Sequence, residues 1–144
     1  VGWFSHDDPF EFDIHHFKYA TDTKRFWGGT PSILPYSIAA SSIQLIHQIK
    51  VANIHQHNQT LLDILQQAAV EHGIETHSPS AKNHRGGTLT LKFKHPTQAV
   101  SLLSQHQILF DVRQQNGFRF SPHIYNTAQE LQALSQLFKV IDKK

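Results

Sequence analysis

Three sets of residues in this chain are of types that do chemistry, and local pattern says how each is presented. The first is Arg25-Phe26-Trp27-Gly28-Gly29-Thr30-Pro31-Ser32-Ile33. Its paired glycines reach backbone conformations closed to other residues, and Thr30-Pro31 sets an extended or turn geometry straight after. Such a loop, leading towards a helix start, presents backbone N–H groups and a hydroxyl, which suits a phosphate or a carboxylate. A plain tight loop between two elements fits the same residues. The second is Arg119, between Phe118 and Phe120. On a strand the two rings face one side and the guanidinium the other. An arginine fixed this way can hold a carboxylate bidentately with little freedom to lose. Asp111 and Arg113 flank the same turn and can pair locally, and an arginine on a merely solvated face is the alternative. The third set is histidine, of which there are 12. His15-His16 and His55-Gln56-His57, with Asp13 near, offer imidazoles to a metal. Two histidines one residue apart on a helix nevertheless point about 200° apart. No His-Glu-x-x-His frame occurs, so no metal site is expected. A Ser/His/Asp hydrolase would lack its Gly-x-Ser-x-Gly elbow. No catalytic residue is assigned.

The elements that must position these residues are legible in the periodicity. Residues 1–34 carry Trp3, Phe4, Phe10, Phe12, Phe17, Tyr19, Phe26 and Trp27 among Asp7, Asp8, Pro9 and Asp13. They read as an irregular, aromatic-rich segment that needs a large surface to pack on. From about Pro35 to Lys50, Ile38, Ser42, Leu45, Ile46 and Ile49 recur at helical spacing. A second helix is predicted from about Asn53 to His72, with Ile54, Leu61, Leu62, Leu65, Ala68 and Ala69 on one stripe and Gly73 at its end. Ile74–His77 is a short extended piece, and Ser78–Asn83 a polar loop. Thr88–Phe93 alternates apolar and polar residues, as a half-buried strand does. Pro96 opens a third helix with Ala99, Leu102, Leu103 and His106 as its stripe. Ile108–Val112 and Phe118–Phe120 are strands joined by the turn Gln114-Gln115-Asn116-Gly117. Thr127-Ala128-Gln129-Glu130 has capping-box spacing before a last helix striped by Leu131, Leu134, Phe138 and Ile141. Lys143-Lys144 suit the negative end of its dipole. Residues 35–144 are therefore a two-layer α+β domain, its short, mainly antiparallel sheet covered by helices.

Composition bounds the partners. At 144 residues with 39% hydrophobic and 17% charged residues, one ordinary globular domain is expected. No run approaches the ~18 apolar residues of a membrane helix, and no signal-peptide pattern opens the chain. The absence of cysteine excludes disulfides, thiolate metal sites and a cysteine nucleophile, and is compatible with a cytoplasmic location. A net charge of +2 is too small to mark a nucleic-acid binder. Histidine protonation below about pH 6.5 would raise that charge several-fold. The chain has no methionine and starts on Val1-Gly2-Trp3-Phe4, apolar from its first residue. A fragment, or a chain lacking its upstream part, is the expectation.

Several motifs occur in an order that carries a resemblance. They are Val1–His6, Arg25–Ile33, His84-Arg85-Gly86-Gly87 before the Thr88–Phe93 strand, Phe110–Arg113, Gly117–Pro122 and Tyr125-Asn126-Thr127. Together they resemble the C-terminal, small domain of class V aminotransferases, pyridoxal-phosphate enzymes of fold type I, and of kynureninases most closely. The resemblance spans nearly the whole chain and is weakest over the second helix and the Ser78 loop. It implies that Trp3 and Thr30, with Gly29 beside it, reach the cofactor phosphate, partly across a dimer interface. It implies that Arg119, of an Arg-x-x-Pro strand, grips the substrate α-carboxylate. Family enzymes carry pyridoxal phosphate on a Schiff-base lysine and pair its pyridinium nitrogen with an aspartate, both in the large domain. Lys18, Lys24, Lys50 and Lys82 do not sit in that lysine motif, and Ser5 replaces a common glycine. The expected parent is a homodimer that transaminates an amino acid or cleaves its Cβ–Cγ bond. Neither nucleic acid nor membrane is an expected partner. The chain alone, without its large domain, is expected to be inactive. The other expectation is a stand-alone, non-catalytic α+β binding module with a carboxylate site at Arg119.

Overall fold

The computed structural model describes residues 1–113 and 117–141. It divides into two compact units, Val1–Gln48 and Ile49–Lys144.

The first unit is mostly irregular. Short 3-10 helices span Trp3–Ser5 and Thr23–Phe26, and an antiparallel bridge joins His6 to Tyr19. Asp22 caps the second of them, its carboxylate accepting from the Lys24 amide at 2.9 Å. Helix α1 (Ile33–Ile49) forms where the spacing predicts it, but none of its residues is buried. Ile33, Leu34, Tyr36, Ile38, Ile43 and Leu45 are all exposed.

The second unit holds α2 (Val51–Glu71), β1 (Glu75–Thr76), β2 (Leu89–Lys92), α3 (Pro96–Gln105), β3 (Asp111–Arg113), β4 (Gly117–Phe120) and α4 (Ala128–Ile141). The sheet order is β1-β2-β4-β3, with every pairing antiparallel. Alternation puts Leu89, Leu91, Phe118 and Phe120 on one face, each at most 3% exposed. That face meets Leu61, Leu62 and Leu65 of α2, Leu103 of α3, and Leu134 and Phe138 of α4 in a single core. The predicted α+β class, a short antiparallel sheet covered by helices, is the fold observed. Removal of this apolar surface from water is its main driving force.

Helix ends explain where sequence periodicity misplaces elements. Gly73, at φ 63°, ends α2, with the Ile74 amide reaching the Ala69 carbonyl at 2.8 Å and the Gly73 amide the Val70 carbonyl at 3.2 Å. Helix α3 ends the same way on Gln107, at φ 56°, with Ile108 N–H bonded to Leu103 O and Gln107 N–H to Ser104 O. This commits the Ile108 amide to a helix cap, so the strand predicted from Ile108 begins only at Asp111. His106 is the exposed residue after α3 and not part of its apolar stripe. Of the predicted turn, residues 114–116 lie outside the described residues, as do Lys143 and Lys144. Gly117 opens β4 at φ 88°, where a Cβ would stand 2.3 Å from the Leu91 carbonyl oxygen. Glycine is required there.

The capping box of α4 forms as predicted. Thr127 N–H donates to Glu130 Oε2 at 2.6 Å, and Glu130 N–H donates to Thr127 Oγ1 at 3.3 Å. Hydrogen bonds from the Thr127 amide, and then its hydroxyl, hold the Glu130 carboxyl below its usual range. Thr127→Ala is expected to cost about 1 kcal/mol. A chemical-denaturation midpoint at neutral pH measures it, and an unchanged midpoint would mean that the cap contributes nothing.

Candidate functional site

Arg119 is positioned by its neighbours on β4. Phe118 and Phe120 are buried in the core, so the strand cannot roll, and Arg119 falls on the opposite, polar face. In the register Arg119 stands opposite Thr90 of β2 on one side and Asp111 of β3 on the other. Its Nη2 lies 2.7 Å from Asp111 Oδ2. The same carboxylate oxygen takes both Nε and Nη2 of Arg113 at 2.9 Å. The local Asp111–Arg113 pair expected from sequence is present, and Arg119 joins it. The Arg119 and Asp111 side chains are 42% and 40% exposed.

The end of β4 is tied to α2 by a polar network. Asn58 Nδ2 donates to the carbonyls of Pro122 (2.7 Å) and Gly87 (3.1 Å), and Gln59 Nε2 to that of Gly86 (3.1 Å). Arg85 Nε donates to Gln59 Oε1 at 3.0 Å, and its Nη2 reaches Asp63 Oδ1 at 2.6 Å. Lys82 pairs with the other Asp63 oxygen. Burial works to raise the Asp63 carboxyl, but hydrogen bonds from Arg85 and then Lys82 outweigh it and hold the group below its usual range. Among the described residues, Arg85 Nη1 and Gln66 Oε1 are buried without a hydrogen-bond partner. The sequence motifs include Arg85 without a role for it and do not single out Asn58 or Gln59. A signal existed: Asn58 lies three and four residues before Leu61 and Leu62, a polar residue on an apolar stripe.

Trp3, Gly29 and Thr30 all belong to the first unit, whereas Arg119 belongs to the second. Gly2 packs so closely on Gly28 that a Cβ on Gly2 would fall 2.3 Å from the Gly28 Cα. Ser5, buried, bridges the same two strands of chain, its Oγ accepting from the Gly2 amide and donating to the Trp27 carbonyl, both at 3.0 Å. This contact ties the Gly2–Ser5 stretch to Trp27-Gly28. Trp3 is 56% exposed, with edge-on contacts to Phe10 and Phe12. On their Cβ sides Gly28 and Gly29 are open, since a Cβ on either would meet nothing within 4 Å. Arg25 lies over the rings of Tyr19 and Phe26, at 5.1 and 5.6 Å. Among the described residues no group of three or more histidine, aspartate or glutamate side chains could hold a metal ion. Nor is any helix among them long and apolar enough to cross a membrane.

This fold is shared with part of two solved structures. An apo cysteine desulfurase from Thermococcus onnurineus NA1 superposes with a TM-score of 0.82 at 20% identity, over 99% of this chain and 38% of its own. An alanine–glyoxylate aminotransferase from Nostoc sp. superposes at 0.60, again at 20% identity, over 85% of this chain and 34% of its own. The chain belongs to the kynureninase C-terminal domain family, whose profile matches residues 51–138. An uncharacterized aminotransferase of Bacillus subtilis, YcbU, is 26% identical over 129 residues, 90% of this chain. The kynureninase of Shouchella clausii is 25% identical over 150 aligned residues, all of this chain. The chain spans about a third of the length of these curated relatives, 33% and 35%.

Proposed function

We propose that this chain serves as the small-domain part of a kynureninase-like, pyridoxal-phosphate-dependent enzyme acting on an amino acid. Arg119 would receive the substrate α-carboxylate, and Trp3, Gly29 and Thr30 the cofactor phosphate. The observation that carries this reading is Arg119 itself. It is set on a strand anchored by two buried phenylalanines, reachable from solvent, and already gripping a carboxylate oxygen at 2.7 Å. A guanidinium so placed orients a carboxylate with little conformational loss.

The first unit fits the phosphate end of the cofactor. The Cβ sides of Gly28 and Gly29 are open, and Thr30 is exposed. When bound, pyridoxal phosphate supplies the electron sink for bond breaking at the amino-acid Cα. The residues of this chain would bind and orient. The lysine that carries the cofactor is assigned to a large domain in a longer, homodimeric protein. Lys18 and Lys24 are engaged with Asp7 and Asp22, and Lys82 with Asp63.

Two measurements test this. Mixed with pyridoxal phosphate and borohydride, the purified chain should give no stoichiometric adduct on any one lysine. Such an adduct would overturn the assignment of that lysine to a large domain. Joined to a large domain that carries the lysine, Arg119→Gln should lower kcat/KM about thirtyfold, the equivalent of about 2 kcal/mol for a lost charged contact. Arg119 is exposed enough for the fold to survive. An unchanged kcat/KM would remove Arg119 from the site.

A further inference from the structure

We propose that Asp111 is an internal placeholder for the substrate's carboxylate, occupying Arg119 until an incoming carboxylate displaces it. This rests on the reading of Arg119 as a carboxylate-binding residue.

The register makes the contact unavoidable. Asp111 and Arg119 are direct partners across β3 and β4, so both side chains leave the same face. Arg119 meets Asp111 as an ion pair through Nη2, at 2.7 Å, whereas Arg113 pairs with the same oxygen through Nη2 and also donates a hydrogen bond to it from Nε, both at 2.9 Å. The unequal grip matters. When another carboxylate takes Arg119, Asp111 keeps the Arg113 Nε–H hydrogen bond and its ion pair with Arg113 Nη2, and is not left as a bare charge. Release is therefore inexpensive. Both partners are about two-fifths exposed, and an ion pair in that setting is weak enough for a ligand to compete with it. The occupied resting state also gives specificity. A neutral ligand has nothing to offer in exchange for Asp111, whereas a carboxylate replaces it charge for charge. Glu75, elsewhere on this face, has partners of its own: Lys92, at 3.6 Å, and His77, at 3.0 Å.

The test is a titration of the full chain with acetate, followed by the NMR signals of the arginine Nε–H groups. Four proteins are compared: wild type, Asp111→Asn, Arg119→Gln and Glu75→Gln. Acetate should shift the Arg119 signal in the wild type and bind about threefold more tightly to Asp111→Asn, the range expected for release of an exposed ion pair. Glu75→Gln removes the same charge from the same face without touching Arg119, and should leave the affinity within error of wild type. A matching gain in Glu75→Gln would mean a general field effect and would overturn the proposal. So would equal or weaker binding by Asp111→Asn, if acetate still shifts Arg119 in the wild type. In both cases Arg119 would stand as a carboxylate site. If acetate shifts Arg119 in neither wild type nor Asp111→Asn, the placeholder and the underlying reading of Arg119 both fall.

Discussion

Phe138→Ala is expected to destabilise the second unit by about 4 kcal/mol. The ring is 1% exposed, and it joins α4 to the sheet by an edge contact with Phe93 at 5.6 Å and a tilted one with Phe120 at 6.3 Å. Truncation removes the transfer energy of a whole aromatic side chain and leaves a cavity that a helix and two strands cannot close together. Lost ring–ring contacts add to the deficit. Native domains are stable by only ~5–15 kcal/mol, so the variant should sit near the edge of folding. Phe138→Leu keeps most of the volume and should lose less than half as much. Urea midpoints at constant m-value decide this. A loss under about 1 kcal/mol in the alanine variant would mean that α4 is not seated on the sheet as described.

The second large effect lies in the polar network. Asp63→Asn is expected to cost about 3 kcal/mol, because it leaves the Arg85 guanidinium, 1% exposed, without its carboxylate. The figure sits at the low end for a broken buried pair, since Asp63 is itself 28% exposed and water reaches it. The pH dependence has a definite sign. The folded Asp63 carboxyl titrates below its ordinary value, so the unfolded chain takes up the proton first. Its contribution is fully present above the ordinary value of about 3.9 and is lost as pH falls through the lower folded value. Stability of the wild type should therefore drop more steeply than that of Asp63→Asn on acidification from about pH 5 to pH 2. Parallel curves would rule out Asp63 as a source of acid sensitivity. The double variant Asp63→Leu/Arg85→Met, with no buried charge left, should be more stable than Asp63→Asn alone.

Much of this protein was decided by local pattern. The period-two run at Leu89–Lys92, the stripes of α2 and α4 and the Thr127–Glu130 box each carry enough local signal to form where expected. Repetition on one face selects helix or strand before any tertiary contact exists. The side on which Arg119 projects followed as well, since Phe118 and Phe120 had to go inward. Other features were invisible for a physical reason: they depend on residues far apart in sequence. Whether the carboxylate of Asp111 would reach Arg113 alone or Arg119 too depends on the strand register, which only the folded sheet sets. The choice of the Ile108 amide between strand and helix cap turned on Gln107 taking a left-handed conformation. Arg85 reads as one more charged residue in a glycine-rich loop until α2 folds over it and supplies Gln59 and Asp63. The approach of the Gly2–Ser5 stretch to Trp27-Gly28 likewise needed two glycine backbones to meet, with Ser5 bridging the two. Sequence alone settled which residues are apolar, periodic or capped; which charges became partners was decided by tertiary structure, because an ion pair's energy depends on distance and burial rather than on neighbours along the chain.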